Sequence, residues 1–314
     1  MRRVMVAACV VGLSGCELTE ITIADPETVL IAEVYVNLGA NPADHAVLAY
    51  LHRTIGSPNE ALPPLSDAMV TVTRADGLSI VLVETDIDDC LNGLLNEFRA
   101  LELGACHVAS AGAASSFRPG DTLEVTVDAG GEEVLLGVTR LPGDFEIDGA
   151  LSTCRLTPDT LMPLRWSRAE GAWAYFNETF IQGLRLALEP EQIPVEQDPL
   201  YLLGLSISDA DTTIVFPSEF GVFSRFDLDQ ALTVRLQRGL PAEVTSEVTI
   251  NAVDRNFVNW VRGGNFNPSG QVRVPSLRGG GTGVFGSSVV RRFHVVSSAN
   301  PIPGLPDCPV PPPL

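Results

Sequence analysis

Short apolar runs that alternate with polar residues recur along most of this chain and restrict its fold more than any other feature. In the first half they occupy residues 28–37, 44–53, 67–74, 78–84, 122–128 and 133–140. Most are rich in Val, Ile, Thr or Tyr, and turn residues such as Asn41-Pro42 and Asp76-Gly77 separate them. Runs of this length and period predict β-strands with one buried face.

The second half continues the pattern and adds aromatic residues. Trp166 lies in one early run, and Trp173 with Tyr175-Phe176 in the next, an arrangement typical of the centre of a β-sandwich. The runs that predict strands here are residues 161–167, 173–176, 201–206, 212–217, 231–236, 243–251 and 293–297. The chain lacks the strand–helix alternation of a parallel α/β sheet. We therefore expect an all-β protein made of two β-sandwich domains of the immunoglobulin or fibronectin kind.

Two segments have helical rather than strand periodicity. Between Cys90 and Cys106, apolar residues recur every three or four positions, and residues 253–262 place their apolar side chains on one helix face. The first set comprises Leu91, Leu94, Leu95, Phe98 and Leu101. We expect both to be short helical insertions, the first with its apolar stripe packed on a sheet or, as the alternative, in contact with a membrane or partner.

The N-terminus has the layout of a bacterial lipoprotein signal. Arg2-Arg3 precede an apolar run over residues 4–13, and Leu13-Ser14-Gly15 lead to Cys16. The run is about half of the roughly 20 residues that span a bilayer, so a permanent transmembrane helix is disfavoured. We expect residues 1–15 to be removed as a signal peptide and Cys16 to carry lipid. Glu17 is not the Asp of inner-membrane retention, which favours an outer-membrane location in a two-membrane bacterium.

Composition shifts suggest how the mature chain is divided. Residues 16–27 are polar and Thr-rich, as in a short tether, and a turn-rich segment near residues 147–153 separates the two halves. We therefore expect a lipidated tether over 16–27, an N-terminal sandwich over 28–148 and a C-terminal sandwich over 149–314. The last of these ends in a Pro-rich tail.

Four cysteines remain once Cys9 leaves with the signal and Cys16 is lipidated. An even number in an exported chain suggests two disulfides. Cys90 and Cys106 bracket a short segment and are expected to pair, while Cys154 and Cys308 would join the tail to the start of the second half. Three pairings are possible, and sequence alone does not choose among them. A zinc site is disfavoured because the four lack paired short spacings.

Charge argues against one class of partner. The formal net charge is −19, which excludes a nucleic-acid binder that neutralises phosphates. All twenty basic residues are Arg, and many lie in the last third of the chain. These arginines are interpreted as solvated strand faces, with a docking surface as the alternative.

No motif predicts catalysis, a cofactor or a metal. The chain has no G-x-S-x-G, and S-x-x-K is impossible without Lys. The histidines His45, His52, His107 and His294 form no short ligand pattern. The glycine-rich residues 278–287 lack the Lys of a phosphate-binding loop, so we expect a loop or bulge flat against the sandwich, with Val284 and Phe285 inserted.

Calcium is the strongest of the weak metal hypotheses. Asp86, Asp88 and Asp89, and separately Asp209 and Asp211, place hard oxygen ligands in loops. In an EF-hand that begins at Asp88, however, Arg99 would occupy the position of the bidentate Glu. The simpler interpretation of both groups is solvated carboxylates, and we assign no metal-binding residue.

Several segments together resemble one protein family. They are the signal around Cys16, the strand TVLIAEVYVN, DAMVTVTR after a Pro-rich loop, RPGDTLEVTV, LPGDFEI and the late GTGVFGS. They look like a family of bacterial outer-membrane lipoproteins known only as a domain of unknown function, whose genes frequently lie beside those of TonB-dependent receptors. The segment between Cys90 and Cys106 departs from that pattern. The resemblance implies a non-enzymatic partner of an outer-membrane uptake system and offers no catalytic residue.

Two hypotheses about function follow. The first is an accessory binding or interaction lipoprotein of a TonB-dependent transporter, suggested by the anchor, the sandwich pattern and the missing catalytic motifs. The second is a freestanding surface adhesin or carbohydrate-binding lipoprotein. For the second, Trp166, Trp173 and Trp260 should be exposed in a row rather than buried.

Overall fold

The computed structural model describes residues 28–54, 65–90, 104–149, 152–206, 208–218, 230–262 and 273–309. Within these ranges the protein is built mainly of β-strands in several sheets, with a few short helices. The expected all-β, sandwich-like class is therefore confirmed. The signal, the tether, the Cys16 position and the apolar stripe of residues 91–101 lie outside the described residues.

The strands follow the predicted order, with several changes of boundary. In the first half they are β1 (Leu30–Leu38), β2 (Ala46–Arg53), β3 (Met69–Arg74), β4 (Ser79–Val81), β5 (Val83–Thr85), β6 (Ala105–Val108), β7 (Thr122–Asp128) and β8 (Val134–Arg140). In the second half they are β9 (Thr153–Leu156), β10 (Met162–Arg165), β11 (Ala174–Gln182), β12 (Leu200–Leu205), β13 (Thr213–Phe216), β14 (Val244–Val253), β15 (Arg278–Gly279) and β16 (Gly281–Ser297).

The helices are short. They are α1 (Ile87–Cys90), α2 (Leu184–Leu188), α3 (Gln230–Leu236) and α4 (Arg255–Arg262), with 3-10 turns at Pro42–Asp44, Ala113–Ser116 and Glu189–Glu191. Helix α4 confirms the helix expected over residues 253–262. In the described parts of the chain, no helix is long and apolar enough to cross a membrane.

The strands of the described residues form three groups. The large sheet has nine strands, in the order β12-β11-β14-β16-β1-β2-β6-β5 with β9 also paired to β16. The small sheet has five strands, in the order β15-β8-β7-β3-β4, and β10 with β13 forms a separate ribbon. The pairings β1–β16 and β9–β16 are parallel, whereas the others are antiparallel.

The large sheet corrects the expected division between residues 148 and 149. Strand β16 pairs with β1 through residues 281–289 and with β14 through residues 288–297. One sheet therefore contains strands from both sides of the expected boundary, joined at its centre. The physical reason is the length of β16, which has 17 residues and carries pairing surfaces for two different neighbours.

The glycine-rich segment is a strand rather than the expected loop or bulge. Across Gly279–Gly281 the chain passes from β15 in the small sheet to β16 in the large sheet. Val284 and Phe285 are buried within β16. At Gly283 the backbone has φ +146°, and a Cβ atom would lie 1.9 Å from the carbonyl oxygen of Ala32. Glycine lets β16 lie this close to β1, which explains the composition that suggested a loop.

Other local predictions also need correction. Residues 231–236 form helix α3 instead of a strand, because Leu232 and Leu236 are four positions apart and both are buried. The run at 78–84 is interrupted at Leu82 and gives two short strands, β4 and β5. Strand β6, which begins shortly after the range 91–103 that is not described, is missing from the sequence-based prediction.

The main core lies between the two sheets. On β1, alternate residues such as Ala32, Val34 and Val36 are fully buried, and they belong to the same cluster as Val70 of β3 and Val125 of β7. A strand points successive side chains to opposite sides, so this pattern identifies the inner face of the large sheet. Burial of each of these valines contributes about 1.5–3 kcal/mol to folding.

Both disulfides expected from the sequence are present. Cys90 at the end of α1 bonds to Cys106 in β6, 16 positions later. Cys154 in β9 bonds to Cys308, 154 positions later, and the Cys308 N–H donates a 2.8 Å hydrogen bond to the Arg155 carbonyl. The second bridge therefore holds the segment after β16 against β9, as expected.

Candidate functional site

The outer face of the large sheet changes character along its strands. Where α4 packs, this face is apolar: Phe257 of the helix contacts Tyr35 of β1 and Phe176 of β11, with ring centroids 5.2 Å apart in each pair. Val253 and Val284 also belong to this cluster. Aromatic pairs at such distances contribute beyond the area they bury, so they fix α4 on the sheet.

Further along the same strands, the outer face becomes polar. We call this region the polar face; it consists of Glu178, Phe180, Tyr201, Glu247, Thr249, Asn251, Arg292 and His294. The strand register places these side chains on one side, because Glu178 pairs with Thr249 and Thr249 pairs with Arg292. Phe180 pairs with both Tyr201 and Glu247. Four neighbouring strands, β12, β11, β14 and β16, thus build one surface.

Glu178 is the central acidic residue of the polar face. Its side chain is half-buried, and its Oε1 accepts a 2.9 Å hydrogen bond from the Tyr201 hydroxyl. Its Oε2 accepts a 2.7 Å hydrogen bond from the Asn251 amide. Burial raises the pKa of Glu178, and the two hydrogen bonds oppose this effect. The carboxylate is therefore held in a fixed orientation by two uncharged donors.

An aromatic pair lies directly beside this carboxylate. The rings of Phe180 and Tyr201 are 4.7 Å apart at an interplanar angle of 43°. Both side chains are half-buried. Tyr201 belongs to both features, since its hydroxyl bonds Glu178 while its ring contacts Phe180. The polar face therefore combines aromatic surface with oriented hydrogen-bonding groups.

The part of the polar face on β14 and β16 carries exposed charges. Arg292 Nε lies 3.1 Å from Glu247 Oε1, and His294 Nδ1 lies 3.7 Å from Glu247 Oε2. The side chains of Arg292 and His294 are 56% and 52% exposed. An ion pair this exposed contributes little to stability, so these groups can exchange partners at small cost.

A second polar cluster lies on β1 and β2 and is almost fully enclosed. Glu33 Oε2 accepts a 3.0 Å hydrogen bond from the Tyr35 hydroxyl. Glu33 Oε1 lies 3.4 Å from Arg273 Nη1 and 3.8 Å from His52 Nε2, while the Arg273 guanidinium lies 4.8 Å from the centre of the Trp260 ring. Burial, followed by the charge of Glu33, raises the pKa of Tyr35 well above its usual range. This network ties Arg273 to the sheet.

Two of the acidic residues considered as metal ligands have other partners in the described structure. Asp209 forms an ion pair with Arg168, and Asp89 accepts a 2.6 Å hydrogen bond from the Thr85 hydroxyl. Across the described ranges, no three His, Cys, Asp or Glu side chains are grouped so that they could hold a metal ion.

The histidines are dispersed over the described structure. Only His294 lies on the polar face, whereas His52 belongs to the Glu33 cluster. His45 lies with Nδ1 3.2 Å from the Ala114 carbonyl oxygen. His107 is buried, and desolvation lowers its pKa.

The tryptophans do not form an exposed row. Trp166 and Trp260 are 4% and 5% exposed, while Trp173 is 47% exposed with the Arg255 guanidinium 5.2 Å from its ring centre. A sugar platform built on these three side chains is therefore disfavoured. The aromatic pair of the polar face consists instead of Phe180 and Tyr201, which the sequence did not single out.

The central residues of the polar face could not be recognised from motifs. Glu178 lies inside a strand expected to end at residue 176, but β11 continues to Gln182. The available signal is the segment AYFNETFIQ, in which a carboxylate interrupts a strand rich in aromatic and β-branched residues. A charge at such a position requires partners, but the sequence does not show that Tyr201 and Asn251 supply them.

Comparison with known proteins identifies no family. No protein-family model matches the chain, and a search of curated proteins finds no match. Among solved structures, the chain is similar to the crystal structure of trypsin-activated alpha-2-macroglobulin from Escherichia coli, at 10% identity and a TM-score of 0.23. The alignment covers 83% of this chain but only 15% of that protein. A similarity this weak carries no functional argument.

Proposed function

We propose that this protein is a lipid-anchored lipoprotein of the outer membrane that acts by binding, as an accessory partner of a TonB-dependent uptake system. It uses no catalytic residue of its own. The resemblance of its motifs to outer-membrane lipoproteins encoded beside such receptors supports this assignment. The observation that carries it is the short distance in sequence between Cys16 and the first strand of the folded body.

Cys16 precedes the first residue of β1 by 14 positions. A chain of that length spans at most about 50 Å when fully extended. β1 lies inside the large sheet, between β16 and β2, so a pull on the tether is resisted by two sets of strand hydrogen bonds. Lipidation at Cys16 would hold the body firmly and within reach of a neighbouring membrane protein, because several acyl chains anchor stably.

The polar face supports a binding role for the anchored body. Its oriented carboxylate and its exposed Arg292 offer acceptors and donors on one surface, and the buried Asn251 amide holds the carboxylate in place. A partner or ligand held there would stay close to the membrane. The protein would in this way raise the local concentration of what the transporter takes up.

Cross-linking in intact cells tests this function. A strain carrying a C-terminal affinity tag is treated with a short cross-linker, and the outer membrane is solubilised and purified under several growth conditions. We expect a TonB-dependent transporter to be enriched. The matched control is a Cys16→Ser strain, in which the released protein should lose this enrichment. Recovery of no transporter under any condition would contradict the proposal.

A further inference from the structure

We propose that the polar face is a binding site for a neutral polyhydroxylated ligand of the sugar class, with Glu178 as its central hydrogen-bond acceptor. This inference deepens the proposed binding function and rests on it. It is carried by the placement of Glu178, Asn251, Phe180, Tyr201 and Arg292 on one sheet face.

Glu178 costs stability where it lies. Desolvation raises its pKa, and the hydrogen bonds from Tyr201 and Asn251 and the charge of Arg292 oppose this effect. In the described structure, however, no Arg or His lies within ion-pair distance of it. A half-buried carboxylate without a cation is unfavourable unless hydrogen bonds satisfy it. Tyr201 and Asn251 supply two such bonds, whereas a carboxylate has about four acceptor positions. The remaining positions suit the hydroxyl groups of a ligand.

The aromatic pair supplies the apolar part of the site. A sugar ring has hydroxyl groups at its edge and C–H groups on its faces, so it is recognised by aromatic surface beside hydrogen-bonding groups. The Phe180 and Tyr201 rings lie next to Glu178, at 4.7 Å from each other. One ligand could therefore contact a ring and the carboxylate together.

The charges of the polar face nearly balance, which suits a neutral ligand. Glu178 and Glu247 would repel an anion, whereas Arg292 would repel a cation. Arg292 is 56% exposed and pairs with Glu247 across the strands. Because that pair is weak in water, its donors can turn to a ligand hydroxyl at little cost. Donors and acceptors are then both available, as hydroxyl groups require.

The test uses the mature lipidated protein in a detergent that contains no sugar, lauryldimethylamine oxide. Binding is measured on an array of neutral oligosaccharides that includes cello-, xylo-, malto- and chito-hexaoses, with spermidine and citrate as charged probes. We expect at least one neutral oligosaccharide to bind. Glu178→Gln should weaken it about tenfold, because a hydrogen bond to a charged acceptor is lost. The exposed Arg292→Gln should weaken it about fivefold.

The matched control is Glu124→Gln, which changes an exposed carboxylate within β7 of the small sheet and should leave binding unchanged. If no neutral oligosaccharide binds, or if only a charged probe does, the proposal is overturned. It is also overturned if sugar binding persists at full strength in folded Glu178→Gln and Arg292→Gln proteins. Failure of the proposed function would be seen separately, as a missing transporter in the cross-linking experiment.

Discussion

Asp254 and Thr139 lie 115 positions apart in the chain and are joined by a buried hydrogen bond of 2.7 Å from the Thr139 hydroxyl to Asp254 Oδ2. The other oxygen, Oδ1, accepts from the Phe257 N–H at 3.0 Å and from the Ser287 N–H at 3.1 Å. Asp254 thus begins helix α4 and links it to β8 and β16. Together with the ring contacts of Phe257, this carboxylate positions the helix on the large sheet.

Replacing Asp254 should therefore be costly. Asp254→Ala removes a helix cap and leaves buried donors on Thr139 and Ser287 without their acceptor, so we expect a loss of about 2–4 kcal/mol. Chemical denaturation measures the change. Asp148→Ala, at an exposed position, should shift stability by less than about 0.5 kcal/mol. Equal losses in the two variants would contradict this role of Asp254.

The approach of β16 to β1 gives a second prediction. Gly283→Ala places a methyl group 1.9 Å from the Ala32 carbonyl oxygen, so the strands must separate, and we expect a loss of more than about 3 kcal/mol. Gly130→Ala also replaces a glycine at positive φ, but nothing lies within 4 Å of its added carbon. Gly130→Ala should lower the free energy of unfolding by only about 1 kcal/mol. Thermal unfolding of both variants measures the difference. A much larger loss of stability for Gly283→Ala would show that the contact with the Ala32 carbonyl, and not backbone strain alone, requires glycine at position 283.

The two disulfides should differ in their contributions. The Cys154–Cys308 bridge closes a segment with a separation of 154 positions, whereas the Cys90–Cys106 bridge closes one of 16. In the chain-entropy model, removal of the longer closure costs about 2 kcal/mol more. Unfolding of the Cys154→Ser/Cys308→Ser and Cys90→Ser/Cys106→Ser proteins measures this. A larger loss from the shorter bridge would show that local packing, rather than chain entropy, dominates.

The raised pKa of Glu178 predicts a pH dependence. A carboxyl whose pKa is higher in the folded state binds its proton more tightly there. Ionisation of Glu178 therefore lowers the free energy of unfolding, and this loss is absent below the ordinary pKa near 4.5 and complete above the pKa of the folded state. The wild-type protein should therefore lose stability relative to Glu178→Gln as the pH rises through this window. Denaturation of both proteins between about pH 4 and pH 8 tests it. A relative gain for the wild type would have the wrong sign.

The local sequence pattern predicts those strands in which apolar and polar residues alternate clearly. Residues 122–128 were expected as a strand and form β7 with the same bounds, and the helical period of residues 253–262 corresponds to α4. Such elements follow from the burial of one face, which the order of residues shows directly.

The remaining structure depends on contacts between distant residues. The parallel pairing of β16 with β1 joins residues about 250 positions apart, and the glycines that permit it resemble a loop in sequence. Strand β11 was expected to end before Glu178, so the polar face could not be predicted. Its central hydrogen bonds come from Tyr201 and Asn251, which only the register of β12 and β14 brings to Glu178.

The central claim is that lipid at Cys16 holds this binding body in the outer membrane. The most direct test is to separate membranes from soluble extract in cells that express the wild-type or the Cys16→Ser protein, and to determine the mass of the N-terminal peptide. We predict that the wild type is found in the outer-membrane fraction with an acylated Cys16 as its first residue. The Cys16→Ser protein should be released and still folded. A Cys16→Ser protein that stays with the membrane, or a wild-type Cys16 without lipid, would contradict the claim.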